Sequence, residues 1–272
     1  MALSLSDDLR FRLRCLNRGL YNPTTIRHRS FDGHIASAKN CGSHWIKYML
    51  SLLLADLYDL PAPEHIKSDA IIGHPKHPPI YPNIPRIVLT HSIAHHAMRL
   101  PFVHRALGLP RYIVLVRDIR HILVSVYEKW DETHRVDFST YLRGDLRNRS
   151  YATDIWQLMR FFNAWGAVVE ACPDRAMVLR YEDLTANARD NLAKVCTFLS
   201  IEHVAPDLIE RAVTSASKQE MAKRLDPRED HADRVVNPGE RDPNDWFGAA
   251  DRDFLAEVCR RNLKYNFGYD LG

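Results

Sequence analysis

"SAKNCGSHWIKYML", residues 37–50, joins a short apolar run (34–38) to a strongly apolar helical stretch through a lysine, small polar residues and a glycine. A plain connection needs only a turn and a cap. Backbone N–H groups at a helix start lack intrahelical partners and carry the positive end of the helix dipole, so this junction suits an anion. Gly42 lets a ligand approach the backbone closely, Ser43 and His44 add donors, and Lys39 adds a full charge. It is not a Walker A loop: GxxxxGK[ST] is absent, and the lysine precedes the glycine. The plainer alternative is a capped helix with a solvated lysine.

Outward from this junction, three further apolar runs read as buried strands: "RIVLT" (86–90), "YIVLV" (112–116) and "AMVLR" (176–180), with "AIIG" (70–73) a weaker fifth. Helical spacing of apolar residues predicts helices over 43–58, 119–130, 153–171, 185–199 (with Thr185 as cap), 205–216 and 251–265. Short apolar strands separated by helices predict an α/β fold, a parallel sheet of about five strands with helices on both faces. Two segments break the pattern. Residues 61–85 hold seven prolines, and residues 226–245 hold three among many charged side chains. Long loops of this kind in a compact domain are often lids or binding loops. No internal repeat or linker divides the chain, so 1–272 is expected to form a single domain.

The net charge of +3, from 37 basic and 34 acidic residues, is too balanced to indicate nucleic-acid binding. The five cysteines are dispersed without a CxxC pair, as expected of reduced thiols in a cytoplasmic protein. The N-terminal twenty residues lack the apolar core of a signal peptide, and the most apolar helix (45–58) is too short to span a bilayer, so no membrane association is expected.

Two more stretches carry chemistry. In "YIVLVRDIRHILVSVYEKW" (112–130), Arg117 ends a strand and Ser125 lies eight residues later on the following helix. An arginine fork and a serine hydroxyl so placed can converge on one phosphate; a salt-bridged Arg117 with a packed Ser125 is the alternative. In "IVLTHSIAHH" (87–96), His91 follows a strand at the edge where parallel sheets build sites, and it titrates near neutrality. His95 and His96 are rivals for the same role. No carboxylate or cysteine pattern accompanies the histidines, so no metal is expected.

Together these elements resemble the soluble sulfotransferases that use 3'-phosphoadenosine 5'-phosphosulfate (PAPS). "AKNCGSHW" is similar to the family's PKSGTTW loop with one extra residue between Lys39 and Trp45, and its Lys39-to-Gly42 spacing is that of the PKxAGTT form. "RDIRHILVS" resembles RDPRDxxxS, "LTHSI" resembles KTHLP, and "LRYEDL" (179–184) and "FGYD" (267–270) are also family-like. Departures are Leu89 in place of lysine, Lys218 in place of an adenine-packing aromatic, and "NPGERDPNDW" (237–246) in place of RKGxxGDW. The family's C-terminal dimerisation motif is not recognisable.

The resemblance implies a P-loop-like three-layer fold and in-line transfer of a sulfuryl group from PAPS to a hydroxyl or amine, leaving the bisphosphate PAP. It implies His91 as the base and Lys39 as the stabiliser of the bridging oxygen. Lys39, Asn40, Cys41, Gly42, Ser43 and His44 would form the 5'-phosphate loop, and Trp45 and Tyr181 would flank the adenine. Arg117 and Ser125 would hold the 3'-phosphate, with Gly239 and Arg241 (or Arg234) from the C-terminal loop. The expected acceptor is a small molecule, with a soluble oligosaccharide second. The rival readings are a P-loop nucleotide kinase-like enzyme and a non-catalytic PAP- or PAPS-binding protein.

Overall fold

The computed structural model describes residues 5–146, 150–151, 153–225 and 242–271. The chain opens with helices α1 (Leu5–Tyr21) and α2 (Thr24–Arg27), then strand β1 (Gly33–Ser37) and helix α3 (Ser43–Leu57). Strand β2 (Ile87–Thr90), helix α4 (Pro101–Leu107), strand β3 (Arg111–Val116) and helices α5 (Ile119–His134) and α6 (Phe138–Arg143) follow. After α7 (Ile155–Ala171) come β4 (Ala176–Arg180), α8 (Tyr181–Ala186), α9 (Ala188–Phe198), α10 (Pro206–Ser215), α11 (Lys218–Ala222) and α12 (Ala249–Asn262). No described helix is long and apolar enough to cross a membrane.

Local chemistry sets the helix starts. Asp154 accepts the Gln157 N–H to cap α7, and proline opens α4 and α10, where a missing N–H costs nothing. Thr185 is not the cap expected of it. It lies inside α8 and donates to the Tyr181 carbonyl, while Asn187 caps α9 by accepting the Asp190 N–H. Asn187 has non-helical backbone angles (φ −147°, ψ 79°), which breaks the run into two helices.

The described sheet has four strands, all parallel, in the order β2-β1-β3-β4, and helices flank it. The expectation of about five strands is corrected at residues 70–73. This segment contributes only an isolated bridge from Gly73 to Val88, with the Gly73 N–H donating to Ile87 O and the Leu89 N–H donating to Gly73 O. The chain then folds back through a turn closed by His74 and His77, and the prolines at 75, 78 and 79 supply no donors for a ladder. Both interior strands are buried on both faces: Ile113, Val114, Leu115 and Val116 of β3 are fully buried, and β1 buries His34 and Ser37 beside Ile35 and Ala36. Tyr112 and Trp165 pack at 5.1 Å between ring centres and tie α7 to the sheet.

From β1 the chain passes through α3 to β2 on one side, then crosses to β3 on the other. This reversal opens a crevice at the carboxyl ends of β1 and β3, where open parallel sheets take their ligands.

Candidate active site

Two left-handed residues turn the chain from β1 into α3: Asn40 (φ 59°) and Gly42 (φ 83°). Asparagine tolerates this conformation and glycine is at ease in it. Gly42 is also the N-cap of α3, so no side chain closes the helix start. A Cβ on Gly42 would collide with the Tyr181 ring, so that ring lies directly over the loop. Cys41 is fully buried beneath it, and burial pushes its thiol pKa up to about 12. Cys41 therefore contributes backbone to the loop rather than a reactive sulfur.

The loop is bound to the β3–α5 junction. Asn40 Nδ2 donates to Ser125 O at 3.0 Å and to Ser125 Oγ at 3.3 Å, and Arg117 Nη1 donates to Asn40 O at 3.3 Å. The Arg117 guanidinium stacks 4.5 Å over the Tyr181 ring centre. Trp45 stands edge-on to Tyr181 at 5.9 Å, and its indole N–H donates to Ala216 O at 2.8 Å. Asn40, Gly42, Trp45, Arg117, Ser125 and Tyr181 thus meet around one crevice, with Lys39 the residue before Asn40 in the loop. Arg117 Nε and His44 Nδ1 are buried there without a hydrogen-bond partner among the described residues. The unpaired Arg117 N–H, beside a bare helix start, fits a phosphate-bearing ligand. Gly239, Arg241 and Arg234 lie outside the described residues.

His91 sits on the same edge. Strand register pairs Ala36 with Thr90, so the next residues, Ser37 and His91, are neighbours. His91 Nδ1 lies 3.0 Å from the Ser37 carbonyl and 3.3 Å from its hydroxyl. A carbonyl only accepts, so Nδ1 carries the hydrogen and Nε2 keeps a lone pair in the neutral ring. Burial lowers the His91 pKa below its ordinary value; the Ser37 hydrogen bond opposes this, and Lys39 and then His74 reinforce it. Exposed Lys39 is thus close enough to bias the imidazole. His44 is held neutral more firmly still, at about 3, by burial and then by Lys47.

His95 and His96 are occupied elsewhere. His95 Nδ1 accepts the Ala97 N–H at 3.1 Å and its Nε2 donates to Leu20 O at 3.1 Å. His96 bonds toward the backbone of Cys15.

Three members of the site were missed from sequence. Ser37 orients His91, but only strand pairing reveals that. Glu182, inside "YEDL", accepts the Asp118 N–H at 3.1 Å and the Tyr269 hydroxyl at 2.5 Å, locking α8 to β3 and the C-terminus. His74, in the proline-rich segment, is near enough to act on His91. Lys218, at the position of an expected aromatic, is exposed.

A parallel α/β sheet with a lysine-bearing strand–loop–helix and an arginine at its switch point defines a class of nucleotide-binding protein. The domain-family model described as the sulfotransferase domain matches residues 32–232. The chain belongs to the sulfotransferase family. Mouse (Mus musculus) sulfotransferases 2A6 and 2A1 are each 29% identical to it over 147 residues, 50% of this chain and 46% of theirs. The chain therefore matches about half the length of these relatives. Among solved structures, mouse sulfotransferase SULT7A1 complexed with PAP superposes with a TM-score of 0.62 at 15% identity, covering 89% of this chain and 91% of that one. Retinol dehydratase in a complex with retinol and PAP gives 0.58 at 12% identity, covering 98% and 97%. At these identities the likeness is one of fold.

Proposed function

We propose that this chain transfers a sulfuryl group from PAPS to a hydroxyl or amine of a small-molecule acceptor. One observation carries the reading: the α3 loop, Arg117, Ser125 and Tyr181 share a crevice with a histidine whose free ring nitrogen is set by Ser37. When bound, PAPS supplies the activated sulfuryl group and a stable leaving bisphosphate. The acceptor oxygen forms a bond to sulfur, the bond from sulfur to the nucleotide oxygen breaks, and the acceptor proton is released.

His91 Nε2 takes that proton as it becomes acidic. Lys39 and the N–H groups at the start of α3 stabilise negative charge on the nucleotide side, in a geometry that exists before reaction. Arg117 and Ser125 hold the 3'-phosphate, and Tyr181 and Trp45 wall the adenine. The acceptor class follows the relatives crystallised with retinol or androsterone, while a soluble oligosaccharide is the second candidate. A cytoplasmic location fits the five cysteines, none of which forms a disulfide.

The test is thermal denaturation with PAP and with AMP, which lacks the 3'-phosphate. PAP is expected to raise the melting temperature well beyond AMP. Arg117→Ala is expected to remove most of that difference, a loss of about 1.5–3 kcal/mol for a charge-assisted contact. Equal stabilisation by the two nucleotides overturns the assignment. Radiolabelled PAPS offered with mixed acceptors then separates a transferase from a binding protein.

A further inference from the structure

We propose that α1 docks the protein onto an anionic lipid surface, through a leucine stripe rimmed by arginines. Leu9, Leu13, Leu16 and Leu20 are 59%, 57%, 51% and 54% exposed, unusual for one helix face of a folded protein. Their spacing of four, three and four residues puts all four on a single line along the helix. The opposite face is committed. Phe11 packs on Trp156 at 5.1 Å, and Asp8 accepts from Asn262 at 3.2 Å and pairs with Arg261 at 3.4 Å. The helix therefore cannot roll to hide the leucines without breaking its own docking.

Charge decides the occupant. Helical geometry places exposed Arg10 and Arg12 on either side of the stripe, Arg10 reaching one turn back to Asp7 at 3.8 Å in a surface pair that leaves its guanidinium open to headgroups. A second copy of the chain would bring two such rims together, like charge against like. An anionic bilayer answers both features, because leucines enter the acyl boundary while arginines meet headgroups. Tyr21, 81% exposed at the end of α1, is a residue type favoured at membrane interfaces. The stripe runs on into a shallow hollow that Leu20 shares with Leu100 and Arg99. Residues 91–100, which start at His91, end in this hollow, so the docking face and the candidate base share one loop. The proposal is one of peripheral binding and stands apart from the sulfuryl-transfer reading.

The experiment is co-sedimentation of the full chain with phosphatidylcholine vesicles, with and without about one-third phosphatidylserine. Binding is expected to the anionic vesicles only, and to fall about fivefold or more between low salt and ~0.5 M salt. Leu13→Glu/Leu16→Glu, which alters only exposed side chains, is expected to lower it about tenfold or more. Arg10→Glu/Arg12→Glu is expected to lower it while leaving the leucines intact. Circular dichroism confirms that each variant is folded. Three results overturn the proposal: no binding to anionic vesicles, equal binding to neutral ones, or unchanged binding by both variants. So does a dimer in light scattering that Leu13→Glu/Leu16→Glu dissolves, which would make a second copy the occupant.

Discussion

His91 owes its chemical usefulness to Ser37. The Ser37 carbonyl holds the hydrogen on Nδ1 and so directs the bare nitrogen, and burial keeps the ring neutral. A base works in its unprotonated form. Its pKa is lowered, so that form persists below the ordinary histidine value near 6.5. The rate of sulfuryl transfer is therefore expected to hold through mildly acidic pH and to fall only as pH drops through the lowered value. His91→Ala is expected to cost about 10²-fold or more in turnover with PAP affinity nearly unchanged. His95→Ala and His96→Ala, whose side chains bond to other backbone groups, are expected to do less. Initial rates against pH, with isothermal titration of PAP, check this. A normal rate for His91→Ala beside an inactive His95→Ala would mean that another histidine carries the proton.

The element that shapes the site is α3, and its most unusual residue is Lys47. Its side chain is only 2% exposed, yet it lies on the second turn of a helix otherwise packed with leucine and methionine. The ammonium bonds Asp69 at 2.5 Å and the Lys67 carbonyl at 3.1 Å, so it pins the proline-rich segment to the helix that starts at the phosphate loop. A buried ammonium stripped of its carboxylate is left uncompensated, whereas removal of the lysine leaves only a carboxylate that solvent reaches. Asp69→Asn is therefore expected to destabilise by about 2–3 kcal/mol, less than for a fully buried pair. Lys47→Met, which keeps the packing volume, is expected to cost less. Urea unfolding of the two variants measures the order; the reverse order would show that the lysine packs rather than pairs.

At the scale of the molecule, the crevice is assembled from segments far apart in sequence. Residues 37–45, 117–125 and 181–182 meet because β1, β3 and β4 are consecutive in the sheet. A ligand that touches all three should tighten them together. Saturating PAP is expected to slow amide hydrogen exchange in all three segments at once, with a gain in global stability of ~2.7 kcal/mol at a hundredfold excess over Kd. Protection confined to one segment would argue that the nucleotide does not bridge them.

The sequence by itself determined the strand–loop–helix at 37–50, the alternation of apolar strands with helices, and the Arg117-to-Ser125 spacing. These are written in local periodicity and in residue types that suit a helix N-terminus, so they need no knowledge of distant contacts. The α1 helix was legible only as a segment unlike a signal peptide, because most of its described apolar residues, Leu9, Leu13, Leu16, Leu20 and Tyr21, face solvent. The pairing of Ser37 with His91, the stacking of Arg117 on Tyr181 and the reduction of 70–73 to a single bridge were decided by tertiary structure alone. Strand order places β2 and β3 on opposite sides of β1, and no local pattern encodes which strands become neighbours. That order follows from which arrangement buries all the apolar faces together, a property of the whole chain.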